Sequence, residues 1–336
     1  MKSTRIVLAS RPIGMPEQEN FRTETVELES QPGSALLQTL YLSLDPYMRG
    51  RMSDLPSYAP PVEVGDVMCG GTVSRVLEST DPALQPDDIV LGYGGWQTHS
   101  VEPVASLRKL DPDAAPLTTA LGVLGMPGLT AYTGLLTIGQ PKPGETVVVA
   151  AATGPVGATV GQIAKIKGAR AVGIAGGPEK VALLREHFGF DAAIDHRAPD
   201  FAEQLAAATP DGIDVYFENV GGPVFDAVLP RLNQFARIPV CGLIANYNAT
   251  DLPPGPDRVP LLMSNILRKS LTVRGYIMTE FVDQAGAFYA DAVPWIAEGK
   301  LKYLEDVVEG LDHAVEAFQG LLTGKNLGKL VIKVSD

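Results

Sequence analysis

Residues 147–165 read VVVAAATGPVGATVGQIAK, and their reading decides the fold. A run of small apolar residues, suited to a buried parallel strand, breaks at a turn holding Gly154 and Gly157 and continues with helical spacing. The dinucleotide fingerprint G-x-G-x-x-G asks three things of such a turn: a tight bend, a place where bare backbone meets a pyrophosphate, and a small residue where helix packs on strand. Gly154 and Gly157 serve the second and third. Ala152 stands at the first, which alanine tolerates only if its φ stays negative. Taken alone, the motif reads equally well as a packing turn.

Its surroundings favour the nucleotide reading. Downstream, apolar segments alternate with helix-length stretches: RAVGIAG then PEKVALLREHFG, DAAID then PDFAEQLAAAT, IDVYFENVGG then PVFDAVLPRL, and FARIPVCGLI. With the quoted stretch these make five units of a parallel sheet, which predicts an α/β chain with a Rossmann domain. Upstream, LLQTLYLSL (36–44), GGTVSRVLES (70–79) and DIVLGYGGWQTHSVE (88–102) read as short strands between turn residues, a curled and mostly antiparallel domain. The expected division is 1–125 for the first domain, 126–270 for the nucleotide-binding domain and 271–336 for a segment whose last strand, NLGKLVIKV, returns to the first. LPPGPDRVP (252–260) is expected to be a loop.

The 336 residues carry a formal net charge of -12 with no block of like charges, so a basic face for nucleic acid is not expected. Cys69, Cys241 and four histidines, none in C-x-x-C or H-E-x-x-H spacing, offer no metal cluster, and both thiols read as small core residues. MKSTRIVLASRP has no apolar h-region, and no apolar run approaches about 18 residues, so no membrane partner and a cytoplasmic location are expected.

An NAD site carries an acid about 20 residues past the glycine turn. Here GIAGGPEK (173–180) places Gly176 and Gly177 there, with Lys180 one helical turn on. This favours NADP, Lys180 reaching the 2′-phosphate; the alternative is a solvated Lys180 with Glu179 on the ribose. YLSLDPYMRG (41–50) offers Asp45, Pro46 and Tyr47 where a zinc dehydrogenase has a cysteine, VEVGDVMCGG (62–71) lacks histidine, and none of the ten tyrosines has lysine four residues later. What remains is metal-free hydride transfer, which suits an activated alkene whose enolate needs only hydrogen-bond donors.

RPIGMPEQENF, LYLSLDPYMRGRM, AATGPVGATVGQIAKIKGARAVGIAGGPEK, YFENVGG and GKNLGKLVIK together resemble the zinc-free medium-chain dehydrogenase/reductases. The nearest branch is that of leukotriene B4 dehydrogenase/prostaglandin reductases and curcumin or alkenal double-bond reductases. The resemblance implies a GroES-like β-barrel domain beside the Rossmann domain, a homodimer, and NADPH-dependent reduction of α,β-unsaturated ketones and aldehydes. By the same resemblance Gly154, Pro155, Val156 and Gly157 form the pyrophosphate turn, and Gly176 and Lys180 belong to the adenosine phosphate. Asn219 contacts the cofactor, Cys241, Gly242 and Tyr247 with Gly275, Tyr276 and Ile277 line the nicotinamide half, and Asn326 reaches back to the cofactor. Two departures stand out. His196 replaces a frequent tyrosine near the adenosine phosphate, and Met278-Thr279-Glu280 lacks an aromatic hydroxyl found in several relatives.

Tyr47 is the candidate donor to the substrate carbonyl; the other reading is a core tyrosine tied to backbone. Thr130 and Tyr132 contact either the nicotinamide or their own helix neighbours. Tyr247 and Tyr276 are candidates for an apolar pocket around the enone. Arg49 and Arg51 read as structural or surface ion pairs. A zinc-free quinone reductase and a non-catalytic NADPH-binding redox sensor are the alternative functions.

Overall fold

The computed structural model describes every residue except Pro254, which lies within the loop expected at 252–260. Two units divide the chain, Met1–Gly122 with Glu305–Asp336, and Val123–Leu304.

The first unit opens with β1 (Lys2–Leu8) and β2 (Phe21–Glu27), an antiparallel ribbon. The long strand β3 (Ser34–Ser43) leads into a single helical turn, α1 (Tyr47–Arg51). β4 (Thr72–Ser79), β5 (Ile89–Gly92), β6 (His99–Pro103) and β7 (Arg108–Leu110) follow. β3 is buried along nearly its whole length because it has ladder partners on both edges. Trp96 centres the core, stacked on Phe21 at 5.7 Å and edge-on to Phe318 at 5.6 Å, with Met48, Met52 and Met68 around it.

In the second unit α2 (Met126–Thr133) precedes six strand–helix steps. They are β8 (Thr146–Ala150), α3 (Pro155–Ile166), β9 (Arg170–Ala175), α4 (Pro178–Glu186), β10 (Ala192–Asp195), α5 (Phe201–Ala208), β11 (Ile213–Phe217), α6 (Gly222–Val228), β12 (Leu232–Val240), α7 (Val259–Lys269), β13 (Thr272–Gly275) and α8 (Ala285–Ala297). The strands lie in the order β10-β9-β8-β11-β12-β13, all parallel. β8, a run of threonine, valine and alanine, is central and buried throughout.

One strand more is present than the five units read from sequence. Thr272–Gly275 is exposed at every residue and occupies the sheet edge, so it shows no apolar alternation to read. Its pairing with β12 keeps residues 271–304 in the second unit, and the segment that rejoins the first unit starts at Glu305 rather than at 271. There β14 (Glu305–Glu309), α9 (Ala314–Leu322) and β15 (Lys329–Lys333) complete a seven-stranded sheet ordered β14-β15-β3-β4-β5-β7, with β6 also paired to β3. β15 runs antiparallel to β3 over Tyr41–Ser43.

Candidate active site

In the second unit the strand order reverses between β8 and β11, the point where ligands of open parallel sheets bind, outside the carboxyl ends of the strands. Two turns stand there side by side, joined by Asn219, whose amide donates to the Ala150 carbonyl at 2.8 Å.

The first turn is the glycine turn. Its left-handed residue is Ala151, with φ 50°, so the bend falls one residue before Ala152, which is fully buried. The Gly154 amide donates to the Ala151 carbonyl at 3.1 Å, and Pro155 starts α3 with no side chain capping the helix. A Cβ at Gly157 would lie 2.4 Å from the Ala151 oxygen, so only glycine fits. At Gly154 a Cβ would meet only that oxygen, at 3.3 Å, leaving the space before the helix open. Uncapped amides on a twelve-residue helix facing open space suit a pyrophosphate.

The ends of β9 and β10 supply a basic cluster. A Cβ on Gly176 would stand 2.8 Å from Arg197 Nε and 3.0 Å from His196 Nε2, so both side chains lean over bare backbone. Asp195 accepts from the Gly177 and Arg197 amides, each at 2.9 Å. Desolvation alone would raise its carboxyl; these amides with the His196 and Arg197 charges more than offset that and hold it below its usual range. Desolvation, then the charges of Arg197 and Lys180, push His196 below the usual histidine range, with Asp195 acting in the opposite sense. Lys180, His196 and Arg197 therefore share one neighbourhood where an acidic ribose partner is missing from the end of β9, which fits a 2′-phosphate. Arg197 escaped the sequence reading. Its signal, Asp-His-Arg directly after a strand, acquires meaning only once β10 is known to neighbour β9.

The turn after β11 is organised by Glu218, also missed. Buried, it accepts from Val220 at 2.6 Å, Gly221 at 2.9 Å and the Tyr216 hydroxyl at 3.1 Å, while its carbonyl accepts from Cys241 and Gly242. Burial raises its carboxyl despite these bonds. Tyr247 places its hydroxyl 3.5 Å from the Leu243 amide, folding the segment after β12 on itself.

Three groups of candidate residues make their side-chain contacts within the second unit. Tyr276 is 5% exposed, its hydroxyl donates to the Thr130 carbonyl at 2.8 Å, and its ring meets Phe217 and Phe281. Alternation turns it inward after the exposed β13. Cys241, its thiol pushed by burial up to about 11, hydrogen-bonds this same tyrosine. Thr130 Oγ1 donates to the Met126 carbonyl at 2.7 Å and Tyr132 to Asp291 at 2.9 Å, both helix-packing contacts. Gly275 and Ile277 flank Tyr276, and the Ile277 amide is held by Glu280.

In the first unit Tyr47 is the first residue of α1, half-buried against the Trp96 core beside Cys69. The turn before it is fixed by side chains. Lys329 and Asp45, both nearly fully buried, pair at 2.8 Å; Lys329 also donates to the Leu44 carbonyl at 2.7 Å, and Ser43 donates to Asp45. Burial, then the Asp45 charge, pushes the Tyr47 phenol far above its ordinary range, so it stays protonated. Among the described residues its hydroxyl has no hydrogen-bond acceptor, unlike those of Tyr132, Tyr216 and Tyr276. Asn326 donates to the Gly328 carbonyl at 2.8 Å and shapes the turn into β15. Arg49, buried, donates to the Gly14 carbonyl. No three His, Cys, Asp or Glu side chains that could hold a metal ion come together among the described residues.

The chain is similar to known proteins over nearly its whole length. The family described as N-terminal domain of oxidoreductase matches residues 4–110, and that described as zinc-binding dehydrogenase matches 155–298. The chain is 58% identical to NADPH-dependent curcumin reductase of Escherichia coli (strain K12), covering 99% of this chain and 97% of that one. It is 43% identical to prostaglandin reductase 1 of Bos taurus, covering 96% of each. The crystal structure of CurA in complex with NADPH from Vibrio vulnificus superposes with a TM-score of 0.96 at 52% identity, covering 99% of each chain. Open helix amides, a basic cluster where an acid would select NAD, and kinship over the whole length lead to one conclusion: the chain belongs to the medium-chain dehydrogenase/reductases, in the zinc-free branch of the prostaglandin and curcumin-type double-bond reductases.

Proposed function

We propose that this protein reduces the carbon–carbon double bond of α,β-unsaturated ketones and aldehydes, using NADPH. The observation that carries the reading is near-full-length identity with an NADPH-dependent curcumin reductase and a prostaglandin reductase. When bound, NADPH would supply the hydride that the β-carbon accepts. The chain's own groups do the rest. The α3 amino terminus with Gly154, Val156 and Gly157 holds the pyrophosphate, and Lys180, His196 and Arg197 hold the 2′-phosphate. Asn219, Gly242, Tyr247, Gly275 and Ile277 would border the nicotinamide through backbone or side chain, Asn326 is the candidate from the turn before β15 to contact the cofactor, and Tyr247 the candidate to contact substrate. The Tyr47 hydroxyl, protonated and with no acceptor among the described residues, would donate to the substrate carbonyl oxygen and stabilise the enolate, whose α-carbon then takes a proton from water.

A homodimer is part of the reading. Val259, Leu261, Met263 and Leu267 of α7 and Val273 on the edge strand β13 are exposed apolar residues that a second copy would cover. So is a cytoplasmic location, which the two free cysteines support. No helix among the described residues is long and apolar enough to cross a membrane.

The test is NADPH oxidation against a panel of enals, enones, curcuminoids and quinones, with NADH as control. Turnover of enones with NADPH preferred supports the proposal. NADPH binding without oxidation by any enone overturns it, and equal use of NADH overturns the role of the basic cluster.

A further inference from the structure

Glu218 is a buried carboxylate that the proposed reaction leaves unused, and it is 2% exposed. One of its oxygens, Oε1, takes three donors: the Val220 amide at 2.6 Å, the Gly221 amide at 2.9 Å and the Tyr216 hydroxyl at 3.1 Å. The main chain of the same residue is tied as well. Its amide donates to the Pro239 carbonyl at 3.0 Å, and its carbonyl accepts from Cys241 at 2.9 Å and from Gly242 at 3.1 Å. The carbonyls of the next two residues, Asn219 and Val220, accept from the Ile244 and Ala245 amides. The turn 218–222 is therefore laced on one side to the segment 241–245. On the other side Asn219 ties it to the Ala150 carbonyl at the end of β8.

The turn's own residues do not hold this shape. Gly221 and Gly222 have φ of 77° and 55°, and glycine passes between such conformations and ordinary ones at little cost. The carboxylate supplies what the glycines lack, because charge-assisted bonds to two successive amides fix the path of the chain from β11 into α6. Asn219 rides on that path. Its side chain spends one N–H on Ala150, and its carboxamide oxygen has no donor among the described residues. A Cβ on Gly242 would lie 3.5 Å from the Asn219 carbonyl oxygen and 3.1 Å from the Tyr247 hydroxyl, so any shift of the turn is passed to that backbone.

We propose that Glu218 is a positioning residue, which holds Asn219 and the Gly242 backbone in the geometry that receives the nicotinamide half of NADPH. This rests on the reading of the protein as an NADPH-dependent reductase. It deepens that reading by placing the control of the nicotinamide end in a side chain that acts through its neighbours.

The test measures the dissociation constants of two ligands that share the adenosine 2′-phosphate: NADPH, and adenosine 2′,5′-bisphosphate, which lacks the nicotinamide half. Glu218→Met removes the acceptor and is expected to weaken NADPH about tenfold while changing the bisphosphate less than twofold. Glu218→Gln keeps the shape and a neutral acceptor, and is expected to weaken NADPH about fourfold, with the bisphosphate again unchanged. A merely structural role would weaken both ligands together. Equal losses for the two ligands, or a ratio of their dissociation constants within twofold of wild type in Glu218→Met, overturns the proposal. Should Glu218→Met bind neither ligand, Glu218→Gln decides, and a ratio within twofold of wild type there overturns it. Failure of wild type to bind NADPH would be a failure of the cofactor reading, and is visible before any variant is made.

Discussion

Tyr47 and Tyr276 are both tyrosines just past a strand, and the sequence offers both to the substrate, yet the two regions use the residue in opposite ways. After β13 the chain turns Tyr276 into the core, where its hydroxyl satisfies a backbone carbonyl and its ring sits among phenylalanines. After β3, the Lys329–Asp45 pair fixes the backbone, and among the described residues the Tyr47 hydroxyl has no hydrogen-bond acceptor. A buried hydroxyl that is satisfied contributes stability, whereas one held in place but unsatisfied is available for chemistry.

Breaking the support of Tyr47 should have the largest effect. Lys329→Met leaves the Asp45 carboxylate buried and unpaired, and about 3–5 kcal/mol of stability should be lost, measured by denaturant unfolding of the holoenzyme. A loss below about 1 kcal/mol would mean that Asp45 finds another partner and that the pair is not what fixes the turn.

Removing one oxygen from each tyrosine separates the two regions directly. Tyr47→Phe should lower kcat for an enone about 100-fold, the cost of one oxyanion donor, with little change in Tm. Tyr276→Phe should do the reverse: about 1 kcal/mol less stable, because the Thr130 carbonyl loses one of its donors while keeping the Thr133 hydroxyl and the Gly134 amide, with kcat within a few-fold. Equal effects on rate and stability in both variants would remove the distinction.

The smallest effect sharpens the nucleotide side. His196 sits below the ordinary histidine range because of desolvation and Arg197, so it is neutral at pH 7 and gains charge only as pH falls below about 6.5. A 2′-phosphate favours that charge. The ratio of NADPH affinity in wild type to that in His196→Gln should therefore rise as pH drops from 7 to about 5.5. Unliganded protein has the opposite sign: the unfolded chain takes the proton first, so stability falls below about pH 6.5, and less so in His196→Gln. Titrations of both proteins with NADPH check the first statement, and urea unfolding at the two pH values the second.

How much could be read beforehand follows from what each site is made of. The phosphate turn is a demand for bare backbone, and such a demand is written locally, in which side chains are missing at 154, 157 and 176. The parallel sheet was legible for its buried strands, whose apolar runs announce themselves, and not for β13, whose residues are all exposed. The basic cluster was half legible. Lys180 lies on the helix that follows the turn, but Arg197 joins it through the adjacency of β9 and β10, which no short stretch encodes. Tyr47 could be named as a candidate, but the turn before it depends on Lys329, which pairs with Asp45 from 284 residues away in the chain. The inward turn of Tyr276 was not legible for the same reason, since the direction of a side chain after an edge strand is set by the core it meets.

The pairing of Asp45 with Lys329 also orders events in time. On the ribosome, residues 123–304 are made as one continuous stretch and can close their own core, while β3 waits with part of one edge open until β15 is synthesised. The turn that carries Tyr47 is therefore among the last parts of the protein to mature. A nascent or truncated chain lacking β15 would be a nucleotide binder with an unfinished donor, a state in which cofactor binding precedes competence.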